Sequence, residues 1–298
     1  MAALGSDAVF FHLLWSHSRE KNHIDCRRRR TALSEIAEVE FVSYAESVAK
    51  TLDAIGAGEV LKRQTAVLIK PNLINALPFP ITTAPQCVEA VIRYVRSCSK
   101  AAIVVAEGCG DSRLETDEVF DRLGYRELAR RQSVELVDLN HAPLTKLENG
   151  DCTVFGEIYL PEIALSHYLL SVPVLKAHSF SKITGTLKNM IGLAPPKYYS
   201  GQFGSWKKAV FHGRMHQSII ELNSYRTPDL SLMDATVGMA EYHLGGAHCS
   251  PPVNKLIAGF DPLAVDRRSA KLLGLRWQTI LHLKGQGGGS GQRTFEAR

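Results

Sequence analysis

Acidic residues are missing from one long stretch of this chain, with none between Glu162 and Glu221. The same stretch carries Lys176, Lys182, Lys188, Lys197, Lys207, Lys208 and Arg214, so it supplies more than the whole formal charge of +5. Local ion pairing is excluded there, and an anion becomes the expected partner. Cysteines are few, six in all, with no C-x-x-C pair and no ferredoxin-type run, which excludes zinc and iron–sulfur ligand sets by spacing. A chain of 298 residues does not need disulfides to build a core, so reduced thiols in a cytoplasm are the expectation. No apolar run reaches the roughly 20 residues of a spanning helix. The run at 8–15 lacks a preceding basic region and a small-residue cleavage site, so neither a membrane partner nor a secretory signal is expected. Neither G-x-G-x-x-G nor G-x-x-x-x-G-K-[ST] is present, which argues against standard dinucleotide and Walker sites. Aromatics are 8% and the pI is only 8.8. Nucleic-acid binders usually show denser basic patches with aromatic platforms between them, so nucleic acid is not the expected partner.

What is present reads as an α/β chain. A hydrophobic content of 45% over this length can bury a large core as one domain or two smaller ones. Residues 1–38, with the arginines at 27–30, are expected to lie outside the core as a disordered extension; a nucleic-acid or targeting tail is the functional alternative. Residues 39–284 are expected to form a single domain, and 285–298 a disordered glycine-rich tail. Val48, Leu52 and Ile55, closed by Gly56, predict a helix. Buried-type strands are predicted at 66–70, 101–106, 134–139, 167–175, 229–234 and 255–259, with helical spacing between several of them. The fold class this implies is a mostly parallel central sheet with helices on both faces. A hairpin through 152–159 is expected within the polar stretch 140–162, and the loop at 194–213, rich in proline, glycine and aromatics, as a lid or pocket wall.

In a parallel sheet, polar residues just past a strand's carboxyl end face the ligand crevice. That rule collects Lys70, Asn72, Glu107, Asp111, Lys176, His178, Lys188, Asn189, His216, Asp234, Asp261 and Asp266 as candidates. Lysines suit phosphate or carboxylate as point charges, and Asp234, Asp261 and Asp266 together would suit Mg²⁺ or another divalent metal through oxygen ligands. The turn Glu107–Gly108–Cys109–Gly110 follows a strand, the layout of a phosphate-cradling loop in which Gly108 and Gly110 let backbone N–H groups approach an anion. The same N–H groups would lower the Cys109 pKa. Thr83 offers either a cap to the helix after it or a hydroxyl to a ligand. His178 and His216 are candidate acid–base groups or metal ligands. Asp261 and Asp266 equally suit plain helix caps, with Asp266 expected to open the final helix.

KPNL at 70–73, Thr83 with Pro85, EGCG at 107–110, VPVLKAHSFSKITGTLKNMIG at 172–192, His216, PDLSLMDA at 228–235, GFDPLAVD at 259–266 and LLG at 272–274 together resemble domain-of-unknown-function family 362. The resemblance covers roughly 40–275 and implies an α/β domain. Family members often carry an appended ferredoxin-like module with two four-iron clusters; this sequence has no such motif, so a redox role would need an external ferredoxin-like electron donor. The leading expectation is an enzyme that binds a small phosphorylated or carboxylate metabolite, in redox chemistry or group transfer. Lys70, Lys176 and Lys188 would neutralise the anion, Asp234 and Asp261 would position a metal or water, and His178 would move protons. Two rivals stand beside it: a non-catalytic carrier of an anion or metal cluster, and an RNA-binding protein using the arginines at 27–30 and the acid-free stretch.

Overall fold

A computed structural model describes residues 36–201 and 206–285. Eleven strands are assigned there: β1 Ile36–Glu40, β2 Ala66–Pro71, β3 Ala102–Glu107, β4 Glu135–Asp138, β5 Leu144–Glu148, β6 Glu157–Pro161, β7 Tyr168–Val172, β8 Val174–His178, β9 Lys182–Thr184, β10 Leu230–Met239 and β11 Lys255–Gly259. The main sheet runs β1-β11-β10-β7-β2-β3-β4, with β8 on β10 and β9 on β8; β5 and β6 form a separate hairpin. β10, β7, β2, β3 and β4 are parallel neighbours, while β11 runs antiparallel to both β10 and β1. The first strand begins at Ile36, inside the expected extension of 1–38, and pairs with β11 from Ile36 to Glu40. The arginines at 27–30, with the rest of 1–35, lie outside the described residues, as does the tail after 285.

Side-chain alternation explains why the strands read as unbroken apolar runs. Val67 and Ile69 of β2 and Ile103 and Val105 of β3 enter one core; Leu68, Val104 and Ala106 enter the other. Both faces are covered, as a parallel sheet requires. Helices Tyr44–Ala54 and Pro85–Cys98 pack Leu52, Val88, Val91 and Val95 on the first face. Helices Met215–Tyr225 and Pro262–Leu272 pack Ile219, Leu222, Val265 and Ala270 on the second. At roughly 25 cal/mol per Å², each fully buried aliphatic side chain contributes about 1.5–3 kcal/mol to this sandwich. No described helix is long and apolar enough to cross a membrane.

Three departures from the local pattern matter for the site. The predicted strand at 167–175 is split by Pro173 into β7 and β8, the imide nitrogen having no proton for the ladder. The predicted strand at 229–234 continues to Met239, with a register shift that sets Met239 opposite Lys176. The segment after β9 forms a short α-turn, Thr186–Asn189, followed by a 3-10 turn, Met190–Leu193, rather than one continuous helix. The order of the parallel strands reverses between β2 and β7, where an α/β sheet opens its crevice.

Candidate functional site

The ends of β2, β3 and β8 and the turn Thr186–Asn189 converge on that crevice, and they split into two networks. In the first, Lys70 is fully buried and its Nζ donates to Glu107 Oε1 at 2.7 Å and to Asn189 Oδ1 at 3.3 Å. Glu107 also accepts from Leu73 N through Oε2 and from Gly108 N through Oε1. Burial pulls the Lys70 pKa down while the Glu107 carboxylate opposes it. Asn189 holds the centre: it donates to Lys70 O and Ser171 Oγ and accepts from Asn72 Nδ2. Gly192 backs the pair so closely that a Cβ there would lie 2.1 Å from Glu107 Oε1 and 2.4 Å from Lys70 Nζ. Lys70, expected to meet an anion, therefore has a carboxylate of its own.

The second network has no carboxylate. Lys176 Nζ, 1% exposed, donates to Asn72 Oδ1 at 2.7 Å and to Ile81 O, both neutral. Burial, joined by the Lys188 charge and only partly offset by Glu107, brings its pKa to about 7. Lys188 is half-buried, has no hydrogen-bond or ion-pair partner among the described residues, and is brought by burial to about 8. Around it stand three imidazoles whose pKa values fall first through burial and then through the Lys188 charge: His178, His212 and His243, the last to about 3. His178 Nδ1 accepts from Phe180 N and Ser181 N, so this neutral ring carries its proton on Nε2. His212 Nδ1 donates to Lys208 O, which leaves a lone pair on Nε2. His243 stacks on His178 with centroids 3.9 Å apart, and its Nδ1 is buried without a hydrogen-bond partner. The rings continue outward as a chain, Tyr242 against His243 and Phe180 against His178 and His212, with Trp206 against His212. Phe180, Trp206 and Tyr242 are exposed.

Several expected site residues are used elsewhere. The Glu107–Gly110 turn is closed to a phosphate: Gly108 N donates to Glu107, Cys109 N to Thr116 Oγ1 and Gly110 N to Ile74 O. A Cβ on Gly108 would strike Asn140 Oδ1 at 2.4 Å and one on Gly110 would strike Ile74 Cδ1 at 2.5 Å, so these glycines serve close packing. Burial raises the Cys109 pKa, against the expected lowering, and outweighs the Lys207 charge, the Thr116 hydroxyl and the Asp111 backbone N–H, which all pull it down. Asp111 receives Arg113 N and Leu114 N in a local turn. Thr83 does not cap the following helix; its hydroxyl accepts from Asn72 N and donates to Val172 O, stitching the end of β2 to that of β7. His216 pairs with His282, Nδ1 to Nδ1 at 2.8 Å.

The three-aspartate metal set does not assemble. Asp234 is fully buried and receives Tyr44 OH, Thr236 N and Thr236 Oγ1, an anchor rather than a catalytic group. β11 runs antiparallel, with Gly259 opposite Ser231 and Leu256 opposite Asp234, so Asp261 lies past the amino end of β10, away from the crevice. There it caps helix Pro262–Leu272 by accepting from Leu263 N. Asp266 does not open that helix. It sits within it, buried, and accepts from Thr186 N and Leu187 N, holding the start of the Thr186–Asn189 turn; burial raises its pKa to about 7. Among the described residues, the group whose ligand atoms lie close enough for a metal is Glu115, Asp138 and His141. Glu115 there already pairs with Lys207 at 3.0 Å, and Glu115 and His141 edge a cavity of about 640 Å³ walled by Tyr159, Pro195, Tyr198, Lys197 and Lys207, which Lys176 and Lys188 do not line.

Sequence reading missed His243, His212 and Lys208 as site-forming residues. Lys208 is buried, donates to Asn140 Oδ1, Gly192 O and Ala194 O, and falls to about 7 through burial. The one signal for Lys208 and His212 was their place in the acid-free stretch; His243 had none.

The profile of a family described as Domain of unknown function (DUF362) matches residues 67–271. No curated protein matches the sequence. Among solved structures, that of the lactate racemase apoprotein from Thermoanaerobacterium thermosaccharolyticum aligns with a TM-score of 0.48 at 12% identity, over 84% of this chain and 58% of that one. The chain thus spans little more than half of that protein's length.

Proposed function

The chain belongs to the DUF362 family, and from its crevice we propose that it binds a small anionic metabolite, a carboxylate or phosphate compound, between Lys176 and Lys188. The observation that carries this reading is the uncompensated charge of Lys188. A half-buried ammonium beside a second one, with neutral imidazoles near it and no carboxylate bonded to it among the described residues, is stabilised when an anion arrives. His178 offers an N–H and His212 a lone pair to the same ligand. Asn72 and Asn189 tie Lys176 to the rigid Lys70–Glu107 network, which supports a pre-formed position for the first lysine. An enzymatic role for this site is the preferred form, because two lysines shifted toward neutrality and proton-carrying imidazoles in one crevice suit general acid–base work.

The test is a thermal-shift panel of inorganic phosphate, nucleotides and small organic acids on the intact chain. A subset is expected to stabilise it, and Lys188→Met and Lys176→Met are expected to abolish that gain. Stabilisation that persists in both variants would place the anion elsewhere and refute the reading. A carrier differs from an enzyme by leaving anaerobic purification with near-stoichiometric ligand, which native mass spectrometry reads directly.

A further inference from the structure

Lys188 is the lysine at the crevice that is only half-buried and has no described partner for its Nζ. Lys70 and Lys208 are saturated by acceptors, and Lys176 is almost fully buried and held by two. We propose that Lys188 is a nucleophile that forms an imine with a carbonyl compound bearing a carboxylate, a 2-oxo acid, with Lys176 holding the carboxylate. This deepens the anion-site reading and rests on it.

The chemistry follows from the neighbours. A lysine becomes nucleophilic near neutral pH when it is desolvated or set beside another cation, and Lys188 meets both conditions. Burial brings both amines toward neutrality, Lys176 to about 7 and Lys188 to about 8, and of the two it is the Lys188 Nζ that no described acceptor holds away from a carbonyl carbon. The free amine attacks the carbonyl carbon, and a C–N bond forms as the C=O π bond breaks. The oxygen then departs as water with the two amine hydrogens, leaving a C=N bond, and protonation of the nitrogen gives the iminium. No oxidant or reductant is consumed. His212, with a free Nε2 lone pair, accepts the proton lost by the ammonium and returns it to the imine nitrogen, while His178 hydrogen-bonds the departing oxygen through its Nε2–H and keeps that proton. The Asp266 carboxylate, which holds Thr186 N and Leu187 N, fixes the turn that carries Lys188. The exposed rings of Phe180, Trp206 and Tyr242, linked through His212, His178 and His243, favour a 2-oxo acid with an aromatic tail over one with a methyl group.

The experiment incubates the intact chain with phenylpyruvate or pyruvate and cyanoborohydride, and locates the reduced adduct by peptide mass spectrometry. The expected result is modification concentrated on Lys188, saturable, at least tenfold more efficient with phenylpyruvate, and suppressed by a non-carbonyl carboxylate such as phenylacetate. Lys188→Arg keeps the cation and removes the nucleophile; it is expected to retain stabilisation by phenylacetate and lose the adduct. Adducts spread over surface lysines, with phenylacetate still stabilising the wild type and not Lys188→Met, would overturn the imine and leave the anion site standing. No stabilisation by either acid, and no preferred lysine, would overturn both. Equal labelling by pyruvate and phenylpyruvate would overturn the role of the rings.

Discussion

Two neighbouring parts of one crevice treat a buried lysine in opposite ways. On the β2–β3 side, Lys70 meets Glu107 at 2.7 Å and also donates to Asn189, while both Glu107 oxygens take backbone N–H groups from Leu73 and Gly108. On the β8 side, among the described residues, Lys176 meets only neutral oxygens and Lys188 has no hydrogen-bond or ion-pair partner. A compensated charge rigidifies a fold; an uncompensated one stores the cost of desolvation until a ligand relieves it. The first network is therefore read as scaffold and the second as site, although Lys70, Lys176 and Lys188 were all candidates along the chain.

That contrast is broken or upheld most sharply by Lys70→Met. Removing one partner strands Glu107 in the core, and the expected loss of unfolding free energy is about 3–5 kcal/mol by denaturant titration. A near-neutral result would show that the pair is not a scaffold. Gly192→Ala comes next: a methyl group driven against Glu107 Oε1 and Lys70 Nζ is expected to cost about 1–3 kcal/mol as overpacking, and the same substitution at the exposed Gly150, with nothing within 4 Å of its Cβ, serves as the control.

Acidity gives a third test. Lys176 and Lys188 titrate near 7 and 8 in the fold against an ordinary 10.5, so the unfolded chain binds more protons between those limits. Their contribution to stability accordingly rises with pH through roughly 7–10. A bound anion raises both values, so binding takes up protons and its affinity falls by up to about tenfold per pH unit above 8, equivalent to ~1.4 kcal/mol. Calorimetry in two buffers of different ionisation enthalpy reads that uptake; identical heats would count against a lysine-held anion. The smallest expected effect is the stability change of Lys188→Met, within about 1 kcal/mol of the parent or above it, since a desolvated and unpaired charge is removed. A loss comparable to Lys70→Met would mean that Lys188 has a hidden partner.

Much of this was legible in the chain. The buried runs at β2, β3 and β10, the polar residues at their carboxyl ends, and the acid-free stretch carrying Lys176 and Lys188 were all visible, because residue type and two-residue alternation are local properties. The resemblance carried by KPNL, EGCG and the 172–192 motif is matched by the family profile over 67–271. What failed to read were facts about partners. Asp261 ends a strand as Lys70 nearly does, yet β11 is antiparallel and delivers it to the far end of the sheet. EGCG has the sequence of an anion loop, but Thr116, Ile74 and its own Glu107 consume the N–H groups. His243 reaches the crevice only because β10 runs on to Met239, whose register with Lys176 is set across the sheet.

The sequence by itself determined that this is a mostly parallel α/β sheet covered on both faces, with an excess of lysine around one strand–turn unit, since hydrophobic period and charge count need no partner to be read. Only the tertiary structure decided which lysine is neutralised, which glycines are filled and which aspartates cap helices. Those outcomes depend on strand direction and on contacts such as Lys70 with Glu107 and Asp266 with Thr186, 37 and 80 residues apart in the chain, where no local pattern links the partners.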